Sequence, residues 1–444
     1  MLDLFLEHLN RNYNNHKILI LGFGREGQST LYMLRQAFPT LDIFVSDQNP
    51  LQLGKVNDRH LLSHIKYLED LEQYDVIFKT PGISLWENGL QKYVQGGGRI
   101  TSQLNEFLDV FHHQTIGITG TKGKSTTSAL VYHLLKTANL PTLFTGNIGI
   151  PVFESIQEIQ PKTQVVVEMS SYQLELITQS PHIAVLLDIF PEHLNHHRSF
   201  ENYLAAKARI TQFQNKDDVL IYNKDFPELQ WLASRSQANK VPFSLGELPA
   251  ELKPDTYPNL NQVIRTKILL PAFLIGQTLG LSTDQMQKAF ETFAALPHRL
   301  ENIGTYNDVT FIDDTLATIP EAASVAIDAL PRVDVIILGG FDRGLQYEPI
   351  AKKVIEKRIP TILLFRPSGE KIAEHFHQLK PASYMPNMQF VENMEEAVRL
   401  SYQHAPKGGV VLLSPASPSF GQFRDYEDKA QQFDVWVKKL ANHN

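Results

Sequence analysis

The segment Gly117–Leu135, GITGTKGKSTTSALVYHLL, combines the residue types that bind phosphate in proteins. Apolar strand-forming residues run into a glycine-rich turn, and a helical pattern follows. The glycines let backbone N–H groups turn inward, and the helix N-terminus adds positive charge. A lysine can hold the β- and γ-phosphates of a nucleotide. We therefore expect the phosphates of a nucleotide to be bound by seven residues: Gly120, Thr121, Lys122, Gly123, Lys124, Ser125 and Thr126.

This loop is a lengthened relative of the common pattern G-x-x-x-x-G-K-[ST]. With Gly123 and Lys124 as anchors, the pattern requires glycine at position 118, where Ile118 stands, and Gly117 lies one residue too early. A glycine-rich connector before a helix is the alternative interpretation. The GKST sequence directly after a strand favours phosphate binding, but the use of the phosphate must be inferred from residues elsewhere.

Magnesium on a phosphate needs an oxygen ligand besides the hydroxyl of Ser125 or Thr126. Glu168 follows three valines that predict a buried strand, and ligands commonly bind at the carboxyl ends of such strands. It could alternatively cap a helix that begins in SSYQLE. Three histidines nearby, His193, His196 and His197, also suggest metal binding. Their spacing does not fit a helical zinc site, so we expect most of them to be solvated and one to be a ligand.

A second glycine-rich turn, GFGREG, follows the apolar run KILIL near the N-terminus. With Asp47 further along the chain, this turn is typical of a dinucleotide-binding site, although the pattern alone is weak. A nicotinamide-dependent oxidoreductase would explain it but would leave GTKGKST without a role.

The strands and helices that position these turns alternate along the whole chain, which predicts an α/β protein of three domains in series. Residues 1–103 form an N-terminal Rossmann-like domain, with strands in KILIL, DIFVSD, DVIFKT and RITS. Residues 104–299 form a central P-loop ATPase-like domain with a parallel sheet, whose strands are TIGITG, PTLFTG, QVVVEMS, IAVLLDIF and DVLIYN. Residues 300–444 form a C-terminal Rossmann-like domain, with strands in VTFIDD, VDVIILGGF, TILLFR, MQFV and GVVLLSPAS.

The composition indicates an ordinary globular protein: 444 residues, 43% hydrophobic and 20% charged. A net charge of −7 with scattered basic residues argues against a nucleic-acid partner. The absence of cysteine excludes disulfides and thiolate metal sites and fits a cytoplasmic location. We find no signal-peptide pattern and no apolar stretch long enough to cross a membrane, so we expect a cytoplasmic protein without membrane insertion.

Six motifs together resemble those of the Mur ligases, in the order of that family, over nearly the whole chain. They are GTKGKST, GNIG, EMSSYQLE, PEHL with YLAAKARI, LPHR and DDTLAT. The segment SPASPSFGQFRDY is most similar to the branch of the family that adds glutamate. The resemblance implies an ATP- and Mg²⁺-dependent monomer of peptidoglycan synthesis. Such an enzyme activates the carboxylate of UDP-N-acetylmuramoyl-L-alanine as an acyl phosphate and joins it to D-glutamate.

The resemblance also implies roles for the catalytic residues. Lys124 would hold the phosphates, and Glu168 and His193 would bind magnesium with Ser125. Lys207 in YLAAKARI matches a lysine that is carbamylated by CO₂ and ligates the metal. The physical reason is that a carbamate is an anion, whereas an ammonium would be repelled by magnesium. A surface lysine on an amphipathic helix would give the same sequence pattern.

Further residues match substrate contacts of the family. Arg299 and Asp314 would bring the third domain onto ATP. The nucleotide-sugar contacts would be Gly24, Arg25, Asp47, Thr80, Pro81, Gly82 and Asn147. The amino-acid contacts would be Thr318, Arg343, Ser419, Phe420 and Tyr426.

Some positions depart from the family pattern, so the sequence does not determine which amino acid is added. Arg343 and Leu316 stand where lysines are usual, and Asn195 stands where an aspartate is usual. A His-Asn-x-x-Asn cluster is replaced by VIRTKILL, which affects the expected contacts to adenine and phosphate. The alternatives are L-glutamate or another amino acid with the same chemistry, a folate-like acceptor, which has no use for the first domain, and a nucleotide-dependent regulatory ATPase.

Overall fold

The computed structural model describes residues 1–48, 58–64, 66–147, 150–252, 262–293, 298–342, 344–379 and 384–441, without the side chains of residues 195, 262–265 and 321. Two compact units divide the chain. The first comprises Met1–Pro258 with Arg265–Phe293, and the second comprises Ala294–Asn444 with Asn259–Ile264. Each unit is described by itself.

The first unit begins with a five-stranded sheet in the order β3-β2-β1-β4-β5, in which all strands are parallel. Its strands are β1 (Ile18–Leu21), β2 (Ile43–Ser46), β3 (Leu61–Ser63), β4 (Val76–Lys79) and β5 (Arg99–Thr101). Its helices are α1 (Leu2–Tyr13), α2 (Arg25–Ala37), α3 (Asn88–Gln95) and α4 (Gln103–Phe111). The central strands β1 and β4 are buried throughout, as expected for a sheet covered on both faces.

The same unit contains a six-stranded parallel sheet in the order β11-β10-β9-β6-β8-β7. Its strands are β6 (Thr115–Thr119), β7 (Thr142–Gly146), β8 (Gln164–Glu168), β9 (Ile183–Leu186), β10 (Val219–Asn223) and β11 (Asn239–Phe243). Its helices are α5 (Lys124–Thr137), α6 (Val152–Ser155), α7 (Ser171–Leu174), α8 (Leu194–His197), α9 (Phe200–Gln212), α10 (Pro227–Arg235), α11 (Gln262–Thr278) and α12 (Thr283–Thr292).

One hydrophobic core joins these two sheets. Phe5 of α1 stacks on Phe111 of α4 with ring centroids 5.9 Å apart, and it meets Phe153 of α6 edge to face at 5.1 Å. The amphipathic N-terminal segment is therefore part of the packing between the sheets.

The second unit has a six-stranded sheet in the order β12-β13-β17-β14-β15-β16, in which only β12 is antiparallel to its neighbour. Its strands are β12 (Glu301–Tyr306), β13 (Val309–Asp313), β14 (Val335–Gly339), β15 (Thr361–Phe365), β16 (Asn387–Val391) and β17 (Val410–Leu413). Its helices are α13 (Pro320–Ala329), α14 (Glu348–Glu356), α15 (Ser368–Leu379), α16 (Met394–His404) and α17 (Tyr426–Ala441). A separate hydrophobic core lies on each face of this sheet.

The predicted α/β class and each of the predicted strands are confirmed. Three strands were not predicted, namely β3, β11 and β12, and each lies at the edge of its sheet. The division into three domains at residues 103 and 299 stays a prediction, and the first boundary falls at the start of α4.

Within the described part of the chain, none of the helices combines the length and the apolar character that crossing a bilayer requires.

Candidate active site

The phosphate loop connects the end of β6 to the start of α5, where the sequence predicted it. Gly123 has a φ of +81°, which an L-residue rarely adopts. A Cβ atom on Gly120 would lie 2.9 Å from the Cβ of Leu187, on the segment that follows β9. Both glycines are therefore required, one for its backbone conformation and the other for its close approach to the neighbouring strand.

The ammonium group of Lys124 lies on the loop itself. It donates to the backbone carbonyls of Gly120 and Thr121, both at 3.0 Å. Burial lowers the pKa of Lys124, while the carboxylates of Glu168 and Glu192 act in the opposite direction. The lysine predicted to bind phosphate is thus buried at the loop and surrounded by carbonyl dipoles and acids.

Two acids that the sequence did not single out help to hold the loop. Asp188 accepts the backbone N–H of Lys122 on Oδ1 at 2.7 Å, and Glu192 accepts the Lys122 ammonium at 2.5 Å. Asp188 follows the buried strand β9 just as Glu168 ends β8, so the strand-end pattern was available as a signal. No comparable signal marked Tyr203, whose hydroxyl lies 2.9 Å from Oγ1 of Thr121.

Glu168 ends β8 and is 1% exposed. Its Oε1 accepts from Nδ2 of Asn147 at 2.9 Å, while its buried Oε2 has no hydrogen-bond partner among the described residues. The alternative role as a helix cap is wrong, because Ser170 caps α7 in a capping box with Gln173. A buried carboxylate oxygen without a partner, beside the phosphate loop, fits a ligand of Mg²⁺.

Lys207 is 1% exposed, so the alternative of a surface lysine is wrong. Its Nζ donates to Oγ1 of Thr119 at 3.1 Å and to the carbonyl of Gly120 at 2.8 Å. Burial, and next the charge of Lys124, lower the pKa of Lys207 well below its usual value. Both effects act in the same direction and favour the neutral amine over the ammonium form at this position.

The three histidines differ in their surroundings. The His193 side chain is 33% exposed, and its Nε2 lies 3.6 Å from Glu192 Oε2. Burial lowers the pKa of His193 to about 4, which keeps the imidazole neutral, as a metal ligand requires. The expectation that most of the three are solvated is wrong: His196 and His197 are 8% and 1% exposed. The short helix α8 turns both of them inward.

The GFGREG turn and its predicted partners gather at the carboxyl edge of the first sheet. Gly22 has a φ of +89°, and a Cβ there would lie 2.0 Å from Oγ1 of Thr80. Asp47 accepts the backbone N–H of Phe23 at 2.5 Å, and the Thr80 hydroxyl donates to the Leu21 carbonyl at 3.1 Å. These contacts fix the shape of the turn.

The other predicted nucleotide-sugar contacts lie close by. Gly24 precedes the first turn of α2, and exposed Arg25 pairs with Glu154 of α6 at 2.9 Å. Pro81 and Gly82 continue from Thr80, and Gly82 lines a cavity of about 370 Å³ together with Tyr172 and His196.

In the second unit, predicted residues lie after the carboxyl ends of β13 and β17. Thr318 follows β13, and Ser419 follows β17. Ser419 is 3% exposed, and its Oγ has no hydrogen-bond partner among the described residues. Phe420 is 60% exposed, and Tyr426 begins α17. Arg343 lies outside the described residues, as do Ile148 and Gly149 of GNIG, Leu296 and Pro297 of LPHR, and the first side chains of VIRTKILL.

Asp314 is buried just beyond β13. Its Oδ2 accepts from the Ser414 hydroxyl at 2.7 Å, and its Oδ1 accepts from the backbone of Leu300 at 3.2 Å. Burial raises the pKa of Asp314 to about 7, against the opposing effect of Ser414 and of the Arg299 charge. The two residues predicted to act on ATP from this unit therefore interact electrostatically with each other.

Comparison with known proteins decides the family. Residues 118–262 match the Mur ligase middle domain, and residues 298–417 match the glutamate ligase domain of Mur ligases. The UDP-N-acetylmuramoylalanine--D-glutamate ligase of Symbiobacterium thermophilum is 32% identical, over 84% of this chain and 86% of that protein. The chain belongs to the Mur ligase family. The protein of the same name from Clostridium acetobutylicum is 30% identical, over 96% of this chain and 97% of its own length.

Solved structures of Mur ligases share the fold. The MurF ligase of Thermotoga maritima, determined in complex with ADP, aligns with a TM-score of 0.57 at 16% identity, over 96% of this chain and 95% of that one. The UDP-N-acetylmuramate-alanine ligase MurC of the same organism aligns with a TM-score of 0.56 at 17% identity, over 97% and 100%. The predicted Mur ligase family and the predicted enzyme class, an ATP-dependent ligase that forms amide bonds, are confirmed.

Proposed function

We propose that this Mur ligase joins D-glutamate to UDP-N-acetylmuramoyl-L-alanine, driven by ATP. The observation that carries the proposal is its similarity, over most of the chain, to relatives that bear the name of this activity. The contacts around the phosphate loop support the chemistry. The expected monomeric state and cytoplasmic location stay predictions.

The donor set at the loop fits magnesium. The proposed ligands are the Ser125 hydroxyl, the unpartnered Oε2 of Glu168, the neutral imidazole of His193 and a carbamate on Lys207. Hard oxygen donors and an imidazole suit a divalent cation that bridges phosphates. Bound Mg²⁺ would neutralise the charge that develops on the phosphate oxygens during transfer.

Lys207 has the chemistry that carbamylation needs. Its neutral amine attacks the carbon of CO₂, a C–N bond forms, and one proton is released to solvent. The product is an anion, which offsets the positive charge of Lys124 and of the metal. The burial of Lys207 supports this step, because desolvation favours the nucleophilic free amine over the ammonium form.

Phosphoryl transfer then requires Lys124 to exchange partners. We propose that its ammonium leaves the carbonyls of Gly120 and Thr121 and pairs with the β- and γ-phosphates. The acceptor carboxylate attacks the γ-phosphorus, the bond to the β-phosphate oxygen breaks, and ADP and an acyl phosphate result. The amine of D-glutamate attacks the acyl carbon, loses a proton, and inorganic phosphate leaves.

Substrate binding is assigned to the loops at the strand ends. The diphosphate of the nucleotide sugar would bind at the start of α2, near Gly24 and Arg25, where backbone N–H groups are available. Asp47, Thr80, Pro81, Gly82 and Asn147 would surround the rest of that substrate. Arg299 and Asp314 would act on ATP. Arg343, Thr318, Ser419, Phe420 and Tyr426 would bind the amino acid, and the unpartnered Ser419 hydroxyl could donate to a carboxylate.

The test is phosphate release by the purified protein with ATP, Mg²⁺ and UDP-N-acetylmuramoyl-L-alanine. D-glutamate, L-glutamate and a panel of other amino acids are compared. Turnover with D-glutamate alone is the expected result. Turnover with a different amino acid would support the ligase reaction but show that the enzyme adds another amino acid, a change that Leu316 in place of lysine would allow. No turnover with any amino acid would contradict the proposal and favour a regulatory ATPase.

A further inference from the structure

Lys79 is a buried cation at the end of β4, and its contacts lead into the predicted nucleotide-sugar loop. Its side chain is 1% exposed. The ammonium donates to the carbonyl of Ile83 at 2.7 Å and to that of Thr80 at 3.2 Å, so it spans the turn Thr80–Ile83 from inside. The only acid within ion-pairing distance of it, among the described residues, is Glu175, whose Oε2 lies 3.7 Å away.

Glu175 lies just after α7 and connects the same lysine to the histidine loop of the second sheet. Its Oε1 is 3.0 Å from Nε2 of His196 and 3.2 Å from Nδ1 of His197. Burial alone would raise the pKa of Glu175, but the hydrogen bonds from both histidines and the charge of Lys79 outweigh it and lower the pKa to about 2. The carboxylate is therefore an anion throughout the physiological range, shared between Lys79 and the two imidazoles.

Two imidazoles and a carboxylate at these distances also resemble a transition-metal site. Lys79 argues against that interpretation, because its Nζ lies 3.7 Å from the same carboxylate. Burial lowers the pKa of Lys79, but the charges of Glu175 and Glu26 oppose that effect and favour the ammonium form. Nε2 of His197 is engaged as well, at 2.9 Å from the hydroxyl of Ser171. Oε1 of Glu175 is thus shared by the two imidazoles, whereas its buried Oε2 has no hydrogen-bond partner among the described residues and faces Lys79 across 3.7 Å. The role of the cluster follows from the segments that it connects.

Further contacts join the same two segments. The hydroxyl of Ser84 donates to the backbone carbonyl of His196 at 2.7 Å. Arg198 donates to the carbonyl of Trp86 at 2.6 Å. Residues 80–86 of the first sheet are therefore tied to residues 196–198 of the second, immediately after the proposed metal ligand His193.

We infer that the Lys79–Glu175 ion pair is a positioning element that fixes the nucleotide-sugar loop relative to the loop that carries His193. The inference rests on the proposed function for the identity of the substrate. The consequence is catalytic, because the acceptor carboxylate must meet the γ-phosphate at reaction distance, and an error of about 1 Å can cost on the order of 100-fold in rate. Neither residue touches the reacting atoms in this role.

The kinetic test compares Lys79→Met, Glu175→Gln and the double variant with the wild type. We expect each single variant to raise the KM for UDP-N-acetylmuramoyl-L-alanine about tenfold and to lower kcat, with the KM for ATP changed less than about twofold. The double variant should melt closer to the wild type than either single variant, since neither member of the ion pair is left buried without the other. Its KM should nevertheless stay raised.

Lys224→Met is the matched control, because it removes a lysine from the exposed pair with Glu247 in the same unit. Its kinetic constants should equal those of the wild type. Equal rises in the KM for both substrates, or normal kinetics in a folded double variant, would overturn the inference and leave a purely structural ion pair. If the single variants fail to fold, Ser84→Ala removes one tie between the loops and should still raise the nucleotide-sugar KM, by about two- to fivefold.

A second measurement does not depend on the substrate. Amide hydrogen exchange should accelerate together in peptides covering residues 80–87 and 194–198 when either Lys79 or Glu175 is replaced. Neither peptide should change in Lys224→Met. Acceleration of one peptide without the other would refute the coupling. If the wild type fails to turn over UDP-N-acetylmuramoyl-L-alanine, the proposed function falls while this experiment still decides whether the ion pair couples the loops.

Discussion

Lys207 shows how a residue acquires its chemistry from its surroundings. On the helix α9 it has the sequence context of any exposed lysine, but it is 1% exposed and lies next to a second lysine at the phosphate loop. Both desolvation and the neighbouring charge favour the free amine. This is the form that reacts with CO₂, and it is the reason to assign a carbamate to this residue.

Replacing Lys207 with alanine should reduce phosphate release by on the order of 100-fold, because the anionic ligand is lost. Acetate or another small acid should restore part of the activity by occupying the vacated space. The control is Lys224→Ala, which should neither lose activity nor respond to acetate. Full activity of Lys207→Ala without any added acid would remove the carbamate from the mechanism.

Glu168→Gln should raise the Mg²⁺ concentration needed for half-maximal activity by about tenfold. The amide keeps the oxygen that accepts from Asn147 but loses the charge on the unpartnered oxygen. A Mg²⁺ titration of phosphate release measures the effect, with Glu247→Gln, in the exposed pair with Lys224, as the control. An unchanged Mg²⁺ requirement would show that Glu168 is not a ligand.

For single residues, the sequence predicts a functional role when the neighbouring residues form a recognisable pattern. Lys124 and Glu168 could be found because a glycine turn and a strand end mark them. Lys79 and Glu175 could not, because each becomes significant only when two separate sheets bring them together. Asp188 lies between these cases, since the pattern that marks Glu168 also marks it.

The helix α17 carries an unusual buried residue on its inner face. Lys429 is fully buried, and its ammonium donates to the Gly339 carbonyl at 2.8 Å, at the end of β14. The rings of Phe365 and Phe423 lie 4.9 Å and 5.1 Å from the same atom. The residue therefore ties the last helix to the turn that precedes Arg343 in the sequence.

Lys429 makes the stability of the protein depend on pH in a definite direction. Burial lowers its pKa to about 7, whereas an unfolded lysine titrates near 10.4. Between these values the unfolded state binds more protons, so this residue makes folding more favourable as the pH rises, by up to about 1.4 kcal/mol per pH unit. Lys429→Met should lose that contribution.

Melting temperatures of the wild type and Lys429→Met at pH 7 and pH 9 test the point. The difference between the two proteins should shift in favour of the wild type at the higher pH, since all other groups are common to both. Parallel pH dependence would contradict the assignment of a lowered pKa to this residue.

The three strands that were not predicted were missed for the same physical reason. β3, β11 and β12 lie at sheet edges, where one side has no partner and a continuous apolar run is unnecessary. β11 even contains Pro242, which only an edge strand tolerates readily. The hairpin between β12 and β13 could have been predicted from the pair Asn307 and Asp308, residue types that favour tight hairpin turns. Both adopt the positive φ values that such a turn requires, 51° and 61°.

On the scale of the whole molecule, the units differ in how they are stabilised. The first sheet shares a core with the second, since Phe5 of α1 packs on Phe153 of α6. The second unit has its own core on both faces of its sheet. The alternation of strands and helices indicated separate α/β blocks but could not reveal that two of them share apolar surface.

Expression of separate fragments should reflect this difference. A fragment of residues 294–444 should fold cooperatively, because its cores are complete, whereas residues 1–103 alone should not, because their partners on α4 and α6 are missing. Thermal melts followed by circular dichroism distinguish the two outcomes, with residues 1–293 as the control for the shared core. A cooperative melt of residues 1–103 would contradict the expected dependence on the second sheet.

The carbonyl oxygen of Gly120 accepts from the Nζ atoms of both Lys124 and Lys207. If Lys207 takes up CO₂, its amine no longer competes for that oxygen, and its new negative charge draws in the metal that accompanies ATP. Any change that improves nucleotide affinity in this way must improve CO₂ affinity by the same factor. Dissolved CO₂ and the ATP–metal complex would then act on the enzyme as reciprocal effectors, each raising the affinity for the other.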